Sequence, residues 1–506
     1  MLFNSILILI MRTTRRKFIK YAGAAAVSGL TAGLASYALM PSNSVADSMD
    51  STTIGIGSFE VERYRPPDYL EFLDWLRSVS KPLSGQRIVI AMENEPFPRA
   101  MQRINSDFFN FSGILTEYEL TPFLQNLSNI RLAVNTKSPT YDIFNIDGSQ
   151  IATFSDDLIP PQELAELYPE LTYPDFDVDG FDSIGWALSS KYPQDLIFSP
   201  YEKELNGSVV QWPQDIPIMI HFYRKDLYEK EGLEPARTWD EYYEDIKHFD
   251  NPNGGFYGAV SMAFVHPSIT FEYLNHLHSF GGKIWEVADD NTLRCVMNSD
   301  EAVAALENFV RFARYSDPGS SSYSWDTVAS AMANNRAANA IQFADYSSLM
   351  DNPNKSQTVG KWGYKLNPAG PAGSFTTFAG AGVGVSKYSR HPKESWLWLQ
   401  WVSTTGAQVV ALQDPLNNSA PNRKAVYDDP IIKQELETGK LQYLKVVKEA
   451  LSTNRVGTLI SHPKWPQAGA IMNSKLHETW RGYLTPREAV KTIQDEIDAL
   501  GPVFTF

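Results

Sequence analysis

The chain has 506 residues, of which 43% are hydrophobic, 12% aromatic and 20% charged; this composition is typical of a folded globular protein and excludes a disordered or fibrous chain. The net charge of −15 argues against a broad nucleic-acid-binding surface. Cys295 is the single cysteine, so no internal disulfide can form, and the eight histidines are scattered without metal-site spacing. We therefore expect no cofactor and no metal. The length predicts two to four domain-sized units or one large two-lobed body.

The first 46 residues carry three features of an export signal in the expected order. Arg15 and Arg16 lie in a basic stretch from Thr14 to Lys20, and a charge-free run rich in Gly, Ala and Ser follows from Tyr21 to Met40. Ser44-Val45-Ala46 then gives a small-x-small cleavage pattern. This order resembles a twin-arginine (Tat) signal peptide, which predicts the Tat machinery as a partner and a periplasmic or extracytoplasmic location. The alternative is a retained anchor helix, because the run is long enough to cross a bilayer.

The remaining chain opens with a linker and an extra helix over 47–84, followed by an alternating pattern. Apolar residues at helical spacing predict a helix from Pro67 to Ser80. Strands and helices then alternate, which favours a parallel sheet with helices on its faces. The predicted segments are strand 88–91, helix 99–109, strand 114–120, helix 123–134 and strand 141–146.

Further helices are marked by their caps. Capping boxes begin at Thr238 and Thr485, Ser299 precedes another apolar-periodic run, and Pro392 opens a fourth helix. Short strand-like runs lie between them at 216–223, 338–343 and 383–386.

Several segments follow one another in the order found in one protein family. The polar loop Glu93-Asn94-Glu95 follows a strand, Tyr141 to Phe144 is similar to a "P-D-I" strand, and Gly207 to Leu233 is similar to "G-K-x-Y-x-x-P…Y-x-K-D-L-F-x-x-x-G-L". Other matches are Pro235 to Glu241, Gly281-Gly282, Ala337 to Ile341 and Gly380 to Ser386. Over roughly 86–500 the chain resembles the extracellular solute-binding proteins of ABC importers, in the branch of maltose- and other sugar-binding proteins. It departs from the pattern in an additional segment over 47–84, a lengthened loop over 251–255, and Arg336 at a usual glycine.

This resemblance implies an α/β, two-lobed periplasmic-binding-protein (Venus-flytrap) fold. Each lobe would be a mostly parallel sheet flanked by helices, and crossing hinge strands would join the two. Lobe one would cover 85–213 plus 374–416, and lobe two 217–370 plus 420–506. The implied function is to bind a carbohydrate between the lobes, without catalysis, and to deliver it to the ABC transporter permease as a monomer.

The candidate ligand contacts are acids, amides and aromatic rings, because carboxylates and amides can grip sugar hydroxyls while rings cover the C–H face. Asn94, Glu95 and Asp147 follow strand ends, where open α/β sheets bind ligands. The resemblance adds contacts from the crossing region and lobe two. These are Trp212, Gln214, Asp215, His266, Tyr273, Asp345, Tyr346, Arg423 and Trp465.

Other functions stay open at this point. A secreted glycoside hydrolase would also be acidic and aromatic-rich, but it would need two carboxylates at a defined separation. A polyamine or another small solute could occupy the same fold, since a polyamine also needs acids and aromatic rings. An iron complex would need clustered tyrosines, and the adjacent pair Tyr242-Tyr243 lies on a predicted helix.

Overall fold

The computed structural model describes residues 63–439 and 441–504. The export signal with Arg15 and Arg16, and most of the linker that follows it, lie outside the described residues, so those expectations stay predictions. Among the described residues, no helix has the length and apolar character needed to span a bilayer.

Strands build two main sheets, and the chain passes from the first sheet to the second and then returns to the first. The strands are β1 Arg87–Glu93, β2 Leu115–Thr121, β3 Ile143–Asp147, β4 Leu158–Ile159, β5 Lys191–Tyr192, β6 Ser208–Val209, β7 Trp212–Pro213, β8 Met219–Arg224, β9 Tyr257–Val260, β10 Trp285–Val287, β11 Thr292–Cys295, β12 Ala337–Phe343, β13 Trp362–Lys365, β14 Thr376–Thr377, β15 Ala381–Ser386, β16 Val456–Gly457 and β17 Val503–Phe504. The first sheet has the order β2-β1-β3-β15-β4 with β7 beside β15, and the second has the order β13-β8-β12-β9.

Helices cover the faces of these sheets. They are α1 Pro67–Val79, α2 Pro96–Ser112, α3 Phe123–Asn135, α4 Ile151–Phe154, α5 Pro161–Leu167, α6 Ser183–Gly185, α7 Lys225–Glu231, α8 Trp239–Phe249, α9 Pro267–Ser279, α10 Asp300–Arg311, α11 Trp325–Ala333, α12 Ser347–Met350, α13 Pro392–Val402, α14 Thr405–Leu412, α15 Pro430–Thr438, α16 Gln442–Ser452, α17 Trp465–Trp480 and α18 Pro486–Asp498. The predicted alternation after residue 86 is confirmed, and so are the capping boxes at Thr238 and Thr485.

Both sheets are mixed, whereas the sequence predicted mostly parallel ones. β1 runs parallel to β2 and β3, but β15 is antiparallel to β3, β4 and β7. In the second sheet β8 is antiparallel to both β12 and β13, and the β9–β12 ladder is parallel. Helical crossovers force parallel pairing only between the strands that they connect. β8 and β15 enter from extended crossing segments, so nothing constrains them to that direction.

The extra N-terminal helix packs into the hydrophobic core that lies beside the first sheet, here called the first core. Tyr69, Phe72, Leu73 and Leu76 of α1 are buried, and the helix packs on α2 and α14. The Trp401 indole N–H donates to the Tyr69 hydroxyl over 2.8 Å. This predicted helix is therefore confirmed, and its stripe of apolar residues explains why it packs against that core.

Candidate functional site

A cavity lies where the C-terminal ends of strands from the two sheets approach each other. Its volume is about 360 Å³, including its opening to solvent. Acids and aromatic rings make up most of its lining. The lining residues are Glu93, Glu95, Phe123, Asp147, Pro217, Phe271, Trp325, Phe343, Asp345, Tyr346 and Ala379.

The first acids come from the end of β1. Glu93 is the last residue of the strand, and Glu95 immediately precedes Pro96, the first residue of α2. Proline is favoured at the first helical position, so the chain turns sharply here and leaves Glu95 at the strand end. The Gln214 amide donates to Glu95 Oε1 over 2.8 Å and accepts from Asn145 Nδ2 over 2.8 Å. Gln214 thus positions Glu95 from behind the cavity wall.

Asp147 occupies the corresponding place at the end of β3. Its Oδ1 accepts from the backbone N–H of Ser149 over 2.8 Å and from the Ser149 hydroxyl over 2.5 Å. This turn fixes one carboxylate oxygen. Burial is the main cause that raises the pKa of Asp147 to about 6, while the Ser149 bonds act in the opposite direction.

The second sheet contributes Asp345 and Tyr346 directly after β12. Asp345 is 2% exposed, and its Oδ1 has no hydrogen-bond partner although it lines the cavity. The Tyr346 hydroxyl donates to Asp326 Oδ1 over 2.7 Å. Burial raises the pKa of Asp345 to about 7, and Asp326 adds to this rise.

Aromatic rings that contact one another form another part of the cavity lining. Trp325, the first residue of α11, has its ring centroid 5.4 Å from that of Phe123, the first residue of α3. The His266 imidazole lies edge-on to Trp325 at 4.4 Å. Phe271 and Phe343 complete this wall. The cavity is therefore lined by apolar rings as well as by carboxyl groups.

The carboxyl groups of the cavity perturb one another. Burial, followed by the Asp345 charge, raises the pKa of Glu95 to about 8, whereas the bond from Gln214 and the Arg99 charge lower it. Burial and the Glu95 charge also hold the pKa of Glu93 well above its usual value. Burial, followed by the Glu95 and Asp345 charges, likewise holds the pKa of Asp215 well above its usual value, and both of its carboxylate oxygens lack a hydrogen-bond partner. The site thus favours groups that offset negative charge or hydrogen-bond to carboxyls.

Some predicted contacts reach the cavity, and others stand beside it. Glu95, Asp147, Asp345 and Tyr346 line it. Gln214 lies one hydrogen bond behind, and His266 contacts two rings of the wall. Asn94 is exposed and accepts from the Arg99 guanidinium over 2.8 Å, which places it outside the lining.

Four predicted contacts lie away from the cavity. Tyr273 is 0% exposed and donates to the backbone oxygen of Ala302 over 2.9 Å. Trp212 stacks on Phe176 with centroids 4.6 Å apart, deep in the first core. Arg423 lies over the Phe181 ring, outside the cavity lining. Trp465 packs beside His462 in the hydrophobic core that includes the second sheet, and it also lies outside the lining. Buried rings satisfy core packing as well as ligand stacking, so residue type alone does not separate the two roles.

Sequence reasoning missed several lining residues. Glu93 was within reach, because it belongs to the same polar loop as Glu95. Phe123 and Trp325 open helices, and apolar residues near a helix start give no sign of facing a cavity. In the described part of the chain, no group of His, Cys, Asp and Glu has a geometry that could hold a metal ion.

Comparison with known proteins identifies the family. Residues 117–409 match the family described as bacterial extracellular solute-binding protein, which is more than half of the chain. The chain belongs to this family. Its members are extracellular or periplasmic, and the protein is the solute-binding component of an ABC transporter. A probable amino-acid ABC transporter periplasmic-binding protein of Sinorhizobium fredii is 22% identical over 374 residues, or 70% of this chain and 80% of that protein.

Solved structures share the fold. An ABC transporter solute-binding protein of Agrobacterium radiobacter in complex with ribitol superposes with a TM-score of 0.70 at 21% identity, covering 83% of this chain and 100% of that one. A maltose-bound protein of T. maritima gives the same TM-score and identity over 82% and 100%. An Agrobacterium vitis protein with bound D-mannitol gives 0.66 at 18% identity over 83% and 100%. The two-lobed fold predicted from the sequence is therefore confirmed.

Proposed function

We propose that this solute-binding protein captures a small polyhydroxylated compound, a monosaccharide or sugar alcohol, in the cavity and delivers it to a membrane permease. The supporting observation is the joint lining by carboxyls and aromatic rings. Glu95, Asp147 and Asp345 can accept hydrogen bonds from neighbouring hydroxyls, while the Phe123 and Trp325 rings can cover a C–H face. The ribitol, mannitol and maltose bound to structures of the same fold support this class.

The cavity size favours a short solute. Its volume of about 360 Å³ includes the opening to solvent, so the enclosed space is smaller and suits a small solute. We therefore infer a single sugar or polyol unit in preference to a long oligosaccharide. We also infer that lobe one is 85–213 plus 374–416, that lobe two is 217–370 plus 420–506, and that the protein acts as a monomer without cofactor or catalysis.

Solute binding should close the two lobes and stabilise the protein. A ligand that touches both lobes favours the closed state, and at 100 times Kd it should add about 2.7 kcal/mol to the free energy of unfolding. Ribitol, mannitol, glucose and maltose would be screened by thermal shift and by small-angle scattering. A hit should raise the melting temperature and reduce the radius of gyration.

The same screen contains the result that would reject the proposal. A solute that raises the melting temperature but leaves the radius of gyration unchanged would contradict lobe closure. If no polyol or sugar changed the melting temperature, the ligand class would be contradicted. Chromogenic glycosides serve as the test for catalysis: turnover that disappears when two cavity acids are replaced would favour a glycoside hydrolase instead.

Export through the Tat pathway is proposed from the leader alone. Arg15 and Arg16 lie in the basic stretch before a charge-free run, and the pathway reads such a pair through a receptor. The double variant Arg15→Lys, Arg16→Lys keeps the charge but should leave precursor in the cytoplasm. N-terminal sequencing of the exported wild type should give a start near Asp47. Normal export of the double variant would reject this pathway.

A further inference from the structure

The cavity contains more acid than a neutral solute requires. Glu93, Glu95, Asp147 and Asp345 all line it, and Asp326 is bound to Tyr346 at its edge. Each of these carboxyl groups has a pKa raised mainly by burial. Carboxylates that hold only hydroxyl groups need not be collected so densely, because a buried uncompensated charge is costly.

No basic side chain in the described residues lines the cavity to balance these acids. The charge of Arg99 lowers the pKa of Glu95, Asp326 and Asp345. Its guanidinium, however, is engaged outside the cavity, where it donates to the backbone oxygen of Asn94 over 2.5 Å and to the Asn94 side chain. His266 faces Trp325 and is held neutral, since burial lowers its pKa to about 4.

One buried carboxylate oxygen of a lining residue lacks a hydrogen-bond donor. Asp345 is 2% exposed and lines the cavity, and its Oδ1 has no hydrogen-bond partner. A buried acceptor without a donor costs about 1–3 kcal/mol, so native structures seldom leave one unmatched. Glu95 already receives Gln214 on Oε1, and Asp147 receives Ser149 on Oδ1. Both carboxylate oxygens of the buried Asp215 also lack a partner, but Asp215 is not part of the lining, so among these lining acids the unmatched oxygen is Asp345 Oδ1.

We propose that the solute is a polyhydroxylated amine, an amino sugar or amino polyol, whose protonated nitrogen lies among Glu95, Asp345 and Asp147. This inference rests on the proposed function and specifies its ligand. The ammonium supplies the missing charge and several N–H donors, while Trp325 and Phe123 cover the C–H face of the same molecule. A polyamine would also pair with the acids, but it has no hydroxyl groups to donate to the remaining carboxylate oxygens.

The test uses pairs of compounds that differ by one amino group in place of one hydroxyl. These pairs are glucamine and glucitol, glucosamine and glucose, and galactosamine and galactose, each titrated calorimetrically into the intact mature protein at pH 7. Charge-assisted hydrogen bonds are about twice as strong as neutral ones. The amine that binds best of the three should therefore bind at least about ten-fold tighter than its hydroxyl partner. Its affinity should also fall when salt is raised, unlike that of the neutral partner.

Variants locate the preference in the cavity. Glu95→Gln and Asp345→Asn preserve side-chain shape but cannot carry a negative charge. Each should weaken binding of both compounds, and of the amine several-fold more than of its hydroxyl partner, so the amine preference should fall. Glu307→Gln is the matched control, because Glu307 is exposed on α10. It should leave both affinities unchanged.

Each outcome bears on one of the two proposals. Tight binding of glucitol or a neutral sugar with no gain from the amine would overturn the amine assignment and leave the proposed function intact. Binding of putrescine or spermidine without any polyhydroxylated compound would overturn the proposed function and this ligand class together. An amine preference that survives both acid substitutions would overturn the placement of the nitrogen.

Discussion

Unfolding of the empty protein should become easier as the pH rises from 7 to 8.5. The cavity acids keep protons in the folded state that the unfolded chain has released, because their pKa values are raised while those of unfolded carboxyls lie near 4. The native state therefore binds more protons, and the free energy of unfolding falls as pH rises towards the folded pKa. Glu95, with a pKa of about 8, titrates within this window.

Most other titratable groups with shifted pKa values change their protonation outside the range of pH 7 to 8.5. Buried histidines have lowered pKa values and act in the opposite direction, but above about pH 7 they are neutral in both states. These are His221, His266, His276, His278 and His462. Burial raises the pKa of Cys295 to about 12, so its thiol contributes only above about pH 8.5. Glu272, whose pKa burial raises to about 8, adds to the fall from outside the cavity.

Glu95→Gln isolates the cavity contribution. The amide oxygen of the new side chain can still accept from Gln214, but it has no proton to retain. The variant should gain stability over the wild type as pH rises, by up to about 1.4 kcal/mol per pH unit. Urea unfolding at pH 5, 7 and 8.5 measures this, with Glu307→Gln as control. If the free energy of unfolding changed with pH in the same way for wild type and variant, the raised pKa of Glu95 in the folded protein would be contradicted.

Replacing Trp325 by alanine should weaken both the fold and solute binding. Trp325 is 7% exposed and contacts Phe123, His266 and Phe343 with ring centroids 4.4–6.2 Å away. Truncating a buried tryptophan costs about 3–5 kcal/mol, because contacts are lost and a cavity remains. The same ring forms the wall that we expect to cover the solute, so Kd should rise by at least ten-fold, or about 1.4 kcal/mol.

Two further variants separate packing from recognition. Trp325→Phe keeps a ring in the wall and should recover part of both losses. Trp75→Ala removes a partly buried tryptophan that packs on Phe72 and Tyr173 away from the cavity, so it should lower stability without changing affinity. Urea unfolding and calorimetry measure the two quantities separately. Trp325→Ala with wild-type affinity would exclude this ring from the ligand site.

The sequence determined the local elements and the family. Hydrophobic periodicity and caps predicted α1, the alternation from β1 to β3 and the helix starts at Thr238 and Thr485, because these signals depend on residues a few positions apart. Ordered motifs carried the solute-binding assignment. Strand ends also predicted Glu95 and Asp147, since the carboxyl ends of neighbouring strands meet at one edge of a sheet.

Only the tertiary structure decided which side chains share the cavity. Phe123 and Trp325 are 202 positions apart, and nothing local marks either as a wall residue, yet the approach of α3 to α11 joins their rings. Trp212, Tyr273 and Trp465 have the composition of ligand contacts but are enclosed by core residues. Strand direction in both sheets likewise followed from the crossing segments. Contacts between distant segments are set by packing of the whole chain, which residue type and spacing do not encode locally.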